Sequence, residues 1–88
     1  MSIMFTQFLR PNGRPIVNTI DASPELETLA HNLIENGARF EIEVLTTGEI
    51  FMECRKGEDI LSNQLCKNGP EVLVALENLI HAADEKLT

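Results

Sequence analysis

The sequence is poor in the residue types that most often carry chemistry. It has no Trp or Tyr, and only two Cys and two His among 88 residues. A short chain with two cysteines lacks the disulfide framework of small secreted domains, which favours a reducing environment and free thiols. The amino terminus has neither a basic segment nor a long apolar run, so we expect no signal peptide, no membrane span and a cytoplasmic location.

Motifs of enzymes and metal sites are missing as well. The sequence contains no glycine-rich phosphate loop, nucleophile elbow, zinc-type cysteine spacing or calcium loop. With so short a chain and its two histidines on separate predicted helices, catalysis has little basis. We therefore predict a non-enzymatic protein without a cofactor, a catalytic residue or a metal ligand.

Basic residues are scarce, and the charge is unevenly spread. Seven Lys and Arg stand against 14 Asp and Glu, which gives a formal net charge of −7. Residues 21–88 hold all 14 acids against five bases, a net charge of −9. An acidic surface repels phosphate backbones and suits solubility or a basic partner. Nucleic acid is therefore only an alternative partner, and it would bind basic residues near the predicted hairpin tips: Arg10, Arg14, Arg55 and Lys56.

The chain does contain a clear pattern of strands and helices, consistent with one small domain over residues 1–88. Residues 3–9 and 16–20 are β-branched and aromatic, and Pro11-Asn12-Gly13 between them predicts a hairpin with a three-residue loop.

A helix follows this hairpin. Ser23 can cap it, Pro24 suits its first position, and Asn36-Gly37 ends it. Its apolar residues recur at helical spacing and predict one buried stripe: Leu26, Leu29, Ala30, Leu33 and Ile34.

Residues 38–55 predict a second hairpin whose register follows from its apolar residues. A three-residue loop, Thr46-Thr47-Gly48 with Gly48 at positive φ, makes every pair on one face apolar. Those pairs are Val44 with Ile50, Ile42 with Met52, and Phe40 with Cys54. The opposite face then pairs Glu41 with Glu53, Glu43 with Phe51, and Leu45 with Glu49.

The remaining segments are a second helix and an ambiguous stretch. Gly69-Pro70-Glu71 opens the helix, which runs to Leu87, and residues 60–66 fit either a short helix or a fifth strand. The apolar stripe of the helix is predicted as Val72, Leu73, Leu76, Leu79, Ile80, Ala83 and Leu87.

An internal similarity favours the strand. A shift of 46 residues aligns 3–37 with 49–83 without a gap and places Phe5 on Phe51. If it reflects a duplication, the element order is ββα–β–ββα. We therefore expect a two-layer α+β fold, with an antiparallel sheet of about five strands and both helices on one face.

The two cysteines lie on neighbouring strands in this arrangement. With Gly57-Glu58-Asp59 as the loop and Lys56 opposite Ile60, Cys54 faces Ser62 and Cys66 faces Ile50. The sulfurs are then roughly 13 Å apart, at about 3.4 Å per residue. This separation excludes a disulfide and a shared metal ion. We expect free cysteines that pack as small apolar residues.

Acidic groups suggest a second alternative, a small metal-binding protein or an enzyme with paired carboxylates. Each histidine lies between two glutamates at i±4 on its helix: Glu27, His31 and Glu35, then Glu77, His81 and Glu85. Such rows are more often solvated surface. Glu41 and Glu53 are opposed like the carboxylates of acid–base enzymes, although like charges directly opposite destabilise a sheet.

The face that holds this glutamate pair also carries apolar side chains. Exposed Leu and Phe mixed with acids are typical of a contact surface rather than of an active site. The predicted interaction face comprises Glu41, Glu43, Leu45, Phe51 and Glu53. Its predicted occupant is another protein, with a second copy of the chain as one alternative.

Three segments of the chain resemble a known group of proteins. The stretches FLRPNGR, FEIEVLTTGE and NGPEV are similar to segments of small acidic proteins of tailed bacteriophages and prophages of Gram-negative bacteria. The resemblance spans Phe5 to about Leu79 and consists of turns and strand patterns. It implies an intracellular accessory protein made during phage infection or carried in a lysogen, and it assigns no role to any single residue. The predicted partner of the interaction face is a host or phage protein.

Overall fold

The computed structural model describes residues 2–9 and 15–87. Within them the chain forms an α+β fold of five strands and two helices, which confirms the predicted fold class and makes residues 60–66 part of a strand. The elements are β1 (Ser2–Leu9), β2 (Pro15–Asp21), α1 (Pro24–Glu35), β3 (Ala38–Val44), β4 (Ile50–Lys56), β5 (Asp59–Cys66) and α2 (Val72–Leu87), with a 3-10 turn at Gly69–Glu71 before α2.

The strands form one mixed sheet in the order β2-β1-β3-β4-β5. The pairs β1–β2, β3–β4 and β4–β5 are antiparallel, but β1 and β3 run parallel. The prediction of a wholly antiparallel sheet is therefore wrong. Short turns force antiparallel neighbours, whereas the long connection from β1 through β2 and α1 to β3 permits a parallel pair.

Helix α1 begins and ends where its capping residues predicted. The Ser23 side chain accepts a hydrogen bond from the backbone N–H of Leu26 at 3.3 Å. At the other end, Gly37 has φ of 94°, a conformation that glycine adopts without steric cost. The predicted stripe is confirmed, since its five residues are buried or packed against the core.

The hairpin of β3 and β4 has the predicted register throughout. Phe40 pairs with Cys54, Ile42 with Met52, and Val44 with Ile50. Gly48 has φ of 91°, and the backbone N–H of Leu45 donates to the carbonyl of Glu49 at 2.8 Å. The three-residue loop is therefore confirmed.

The turn between β4 and β5 differs from the prediction by one residue. Lys56 pairs with Asp59, so the loop is the two residues Gly57-Glu58 rather than three, and Gly57 takes positive φ. A register shift follows next to Arg55, where β5 carries one extra residue. This irregularity restores the predicted pairs Cys54–Ser62 and Ile50–Cys66, because the apolar register outweighs the geometry of the turn.

Helix α2 is rotated slightly from its predicted orientation. Leu73 is 49% exposed, so its place in the buried stripe was wrong, and Ala75 is buried instead. The other predicted stripe residues are buried or packed against the core. Ala75 has a small side chain, which lets the helix lie close to its neighbours.

One hydrophobic core joins the two helices to alternate residues of the strands. Helix α1 lies against β1 and β3, α2 lies against β4 and β5, and the helices contact each other. The strand side chains that enter this core define the core face of the sheet, and they include Ile3, Phe40, Ile42, Met52, Cys54 and Cys66. Ser62 is buried with them, and its Oγ donates to the Leu79 carbonyl at 2.7 Å.

The 46-residue shift places β1 on β4, β2 on β5 and α1 on α2. An equal element order does not by itself show a common origin, so the duplication stays a prediction, as does the two-layer packing.

Neither helix, over the residues described, has the length and apolar character that crossing a bilayer requires.

Candidate interaction surface

The side of the sheet opposite the core face is the candidate surface, and we call it the open face. Strand alternation puts every second side chain there, and the strand registers align these side chains across the sheet. Among the side chains that the structure describes, the open face comprises Met4, Thr6, Val17, Thr19, Asp21, Arg39, Glu41, Glu43, Phe51, Glu53, Arg55, Ile60, Asn63 and Leu65.

The predicted interaction face lies within this surface. Glu41 is paired with Glu53, and Glu43 with Phe51, so the structure brings these four residues together. Leu45 lies just beyond the end of β3, at the edge of the same face. All five residues are partly exposed.

Two rows of like charge cross the centre of the open face. Arg39 and Arg55 are directly opposite each other and form what we call the arginine row. Glu41 and Glu53 form the glutamate row two residues along, about 6.8 Å away at about 3.4 Å per residue. Sequence reasoning missed Arg39, although the register that pairs Glu41 with Glu53 also pairs Arg39 with Arg55.

One ion pair joins the two rows. Arg55 Nε lies 3.2 Å from Glu53 Oε1, and the two side chains are 40% and 15% exposed. The Nε atom itself is buried and makes no hydrogen bond to a described residue, so its N–H is not directed at the carboxylate. A partly exposed pair of this kind contributes about 0–1 kcal/mol to stability.

A polar groove of about 460 Å³ opens beside the arginine row. Gly37 and Gly57 lie at one end of it, next to the paired arginines and Glu41. A Cβ atom added to Gly57 would meet no other atom within 4 Å, so this part of the groove is open space.

Large apolar side chains lie exposed on both sides of the charged rows. Met4 is 57% and Val17 66% exposed on β1 and β2, and Ile60 is 45% and Leu65 58% exposed on β5. These are four of the seven large apolar side chains that are exposed among the described residues. The other three are Ile16 on β2 and the neighbours Leu73 and Val74 on α2.

The predicted basic tips do not form one basic patch in the part of the chain described. Arg10 and Arg14 lie outside the described residues. Arg55 and Lys56 are consecutive on β4, so their side chains lie on opposite sides of the sheet. The Arg55 side chain contacts that of Glu53. Lys56 is the last residue of β4 and is opposite Asp59 in the strand register.

The histidine rows lie on solvent-exposed helix surface. His31 on α1 and His81 on α2 are both exposed. Among residues 2–9 and 15–87, no group of three or more His, Cys, Asp or Glu side chains is arranged to hold a metal ion.

Both cysteines are free and belong to the core, as predicted. The Cys66 thiol donates to the carbonyl of Asn68 at 3.1 Å. Burial raises the pKa of the Cys54 thiol from 9.0 to about 11. A thiol held neutral and out of contact with solvent is a poor nucleophile, so Cys54 has a packing role.

No protein-family model matches this chain, and no curated protein or solved structure is significantly similar to it. The case for a function therefore depends on the open face.

Proposed function

We propose that this protein is a non-enzymatic interaction module and that its open face binds another protein. The observation that carries the proposal is the concentration of exposed large apolar side chains on that face: Met4, Val17, Ile60 and Leu65. Phe51 lies among them, partly exposed. Large apolar side chains that are exposed together on one face, here on both sides of a charged strip, are typical of protein interaction sites.

The size of the molecule supports this use. Its Cα atoms span 34 × 28 × 19 Å, so the broad side of the molecule is large enough for the roughly 800 Å² that each partner contributes to a standard interface. A chain of 88 residues has a small core, and burying part of its sheet against a partner would add to its stability.

The opposed glutamates need no catalytic explanation. The arginine row lies beside the glutamate row and offsets part of its charge repulsion, and Glu53 is already in contact with Arg55. The same four side chains serve an interface well, because charged groups fix the orientation of a partner and exclude wrong ones.

The biological setting is part of the proposal. The resemblance of FLRPNGR, FEIEVLTTGE and NGPEV to small phage and prophage proteins supports an accessory role in the cytoplasm of a bacterial host. The partner would then be a host or phage protein, a second copy of this chain included.

A capture experiment with matched variants tests the proposal. The chain is immobilised, incubated with nuclease-treated lysate of a Gram-negative bacterium, cross-linked and analysed by mass spectrometry. Phe51→Ser with Leu65→Ser changes the open face, and Leu73→Ser with Val74→Ser changes the exposed apolar pair on α2. We expect a protein captured by the wild type to be lost, by about tenfold or more, only with the open-face variant.

Nuclease treatment separates protein binding from binding through nucleic acid. Capture that disappears after nuclease treatment, or that fails with the α2 variant and survives with the open-face variant, would contradict the proposal. Circular dichroism of both variants verifies that each is folded.

A further inference from the structure

The open face carries charges that are complementary to those of a second copy of itself. We propose that two chains pack face to face through this surface as a two-fold symmetric dimer. This inference rests on the proposed function, since it names the partner of the same surface. It is carried by the arrangement of the arginine and glutamate rows.

The rows are unfavourable in an isolated sheet. Cross-strand neighbours of opposite charge stabilise a sheet, and like charges directly opposite destabilise it. Here Arg39 is opposite Arg55, and Glu41 is opposite Glu53. The same four residues would give two opposite-charge pairs if one strand carried them in reverse order. A partner that places acids over the arginine row and bases over the glutamate row would relieve both like-charge pairs.

One symmetry operation provides such a partner from the chain itself. A two-fold axis that lies between the two sheets, runs across the strands and passes between the rows places each arginine row over the other copy's glutamate row. Arg39 then faces Glu41 of the second copy, and Arg55 faces its Glu53. Facing sheets are about 10 Å apart, a distance that long Arg and Glu side chains can bridge.

The charges also select between orientations. A two-fold axis parallel to the strands would instead place each row over the same row of the second copy, with arginine against arginine and glutamate against glutamate. Only the axis across the strands, with the second copy running antiparallel to the first, brings opposite charges together. The rows thereby fix the register and direction of the dimer, a role that charged groups have at many interfaces.

The same axis accounts for the groove beside the arginine row. Phe51 is two residues beyond Glu53 on β4, and Gly57 is two residues beyond Arg55 in the other direction. The axis therefore relates these two positions and places Phe51 of the second copy over the groove. Two glycines leave the groove open, and the neighbouring arginines suit the face of an aromatic ring.

A charge-swap experiment tests the dimer. Arg39→Glu with Arg55→Glu makes both rows acidic, and Glu41→Arg with Glu53→Arg makes both rows basic. Sedimentation velocity gives the mass of each protein relative to the 9.8 kDa monomer, and native mass spectrometry of one unlabelled and one ¹⁵N-labelled variant identifies mixed dimers. We expect the wild type to dimerise and each variant alone to do so about tenfold more weakly or worse. An equimolar mixture of the two variants should form mixed dimers with recovered affinity.

The less exposed positions call for a second pair of variants. Glu53 is only 15% exposed, and its replacement could prevent folding. Arg39→Glu and Glu41→Arg are single changes on β3 that leave Glu53 in place, and the two positions face each other across the proposed axis. Weak dimers of each alone, with recovery in the mixture, would support the proposal as well.

Two results would overturn it. One is a wild type that stays monomeric up to about 1 mM, and the other is a mixture of folded variants that forms no mixed dimer. If self-association is absent but lysate capture still depends on Phe51 and Leu65, the open face binds a different protein. In that case the proposed function stands and the dimer does not. If capture is independent of the open face too, both are wrong.

Discussion

The two faces of this sheet differ sharply although they are built from alternate residues of the same strands. On β4, Met52 and Cys54 are fully buried, while their chain neighbours Glu53 and Arg55 lie on the open face. The core face is apolar and joins both helices in one core. The open face combines paired like charges with exposed apolar side chains. One face therefore stabilises the fold, and the other is the surface to which we assign the proposed binding.

The largest expected effect distinguishes the two faces through adjacent residues. Met52→Ala on the core face removes a fully buried side chain and should lower the free energy of unfolding by about 2–5 kcal/mol. Phe51→Ala on the open face should lower it by less than about 1 kcal/mol, because that side chain is outside the core. Urea denaturation at low protein concentration measures both values.

The binding readout should rank these two variants in the opposite order. Phe51→Ala should weaken association, whereas any Met52→Ala protein that remains folded should associate normally. Equal losses of stability at the two positions would mean that Phe51 is part of the folding core, and the contrast between the faces would then fail.

A smaller effect comes from pH and probes how dry the core face is; a shift of two pKa units corresponds to at most about 2–3 kcal/mol. Burial raises the pKa of the Cys54 thiol from 9.0 to about 11. Between these values the folded chain holds a proton that the unfolded chain has lost, so the stability from the neutral thiol is complete below pH 9 and is lost as the pH rises toward 11.

Cys54→Ala is the matched variant for this titration. Because it has no thiol at that position, its free energy of unfolding should fall less steeply between pH 9 and pH 11 than that of the wild type. Equal pH slopes for the two proteins would show that Cys54 ionises without penalty and that water reaches the core face.

Short-range rules made much of the fold predictable. Ser23 and Gly37 marked the ends of α1, because capping and positive φ depend on adjacent residues. The β3–β4 register followed from one constraint, that both strands place their apolar residues on one face, and Gly48 fixed the loop.

Long-range choices were not visible in the sequence. Nothing local encodes that β3 pairs with β1 in a parallel orientation, since that choice depends on how α1 crosses the sheet. The extra residue of β5 at the β4–β5 turn was missed for a related reason. Turn length and the apolar register favoured different alignments, and both were accommodated by the irregularity beside Arg55.

The candidate surface was predictable only in its centre. One correct register brought Glu41, Glu43, Phe51 and Glu53 together. The outer parts, at Met4, Val17 and Ile60, were not predicted. The first hairpin is half apolar on both faces, so its buried face could not be chosen, and residues 60–66 fitted either a helix or a strand. The same register also pairs Arg39 with Arg55. That pair was missed because Arg55 was assigned to a hairpin tip.

Covalent footprinting of the associated protein tests the central claim most directly. Hydroxyl-radical labelling, analysed by mass spectrometry, compares the dilute chain with the concentrated or partner-bound chain. We predict that labelling of Met4, Phe51 and Leu65 falls on association while that of Leu73 and Val74 is unchanged. Protection confined to Leu73 and Val74 on α2, with the open face labelled as before, would contradict the claim that the open face is the binding surface.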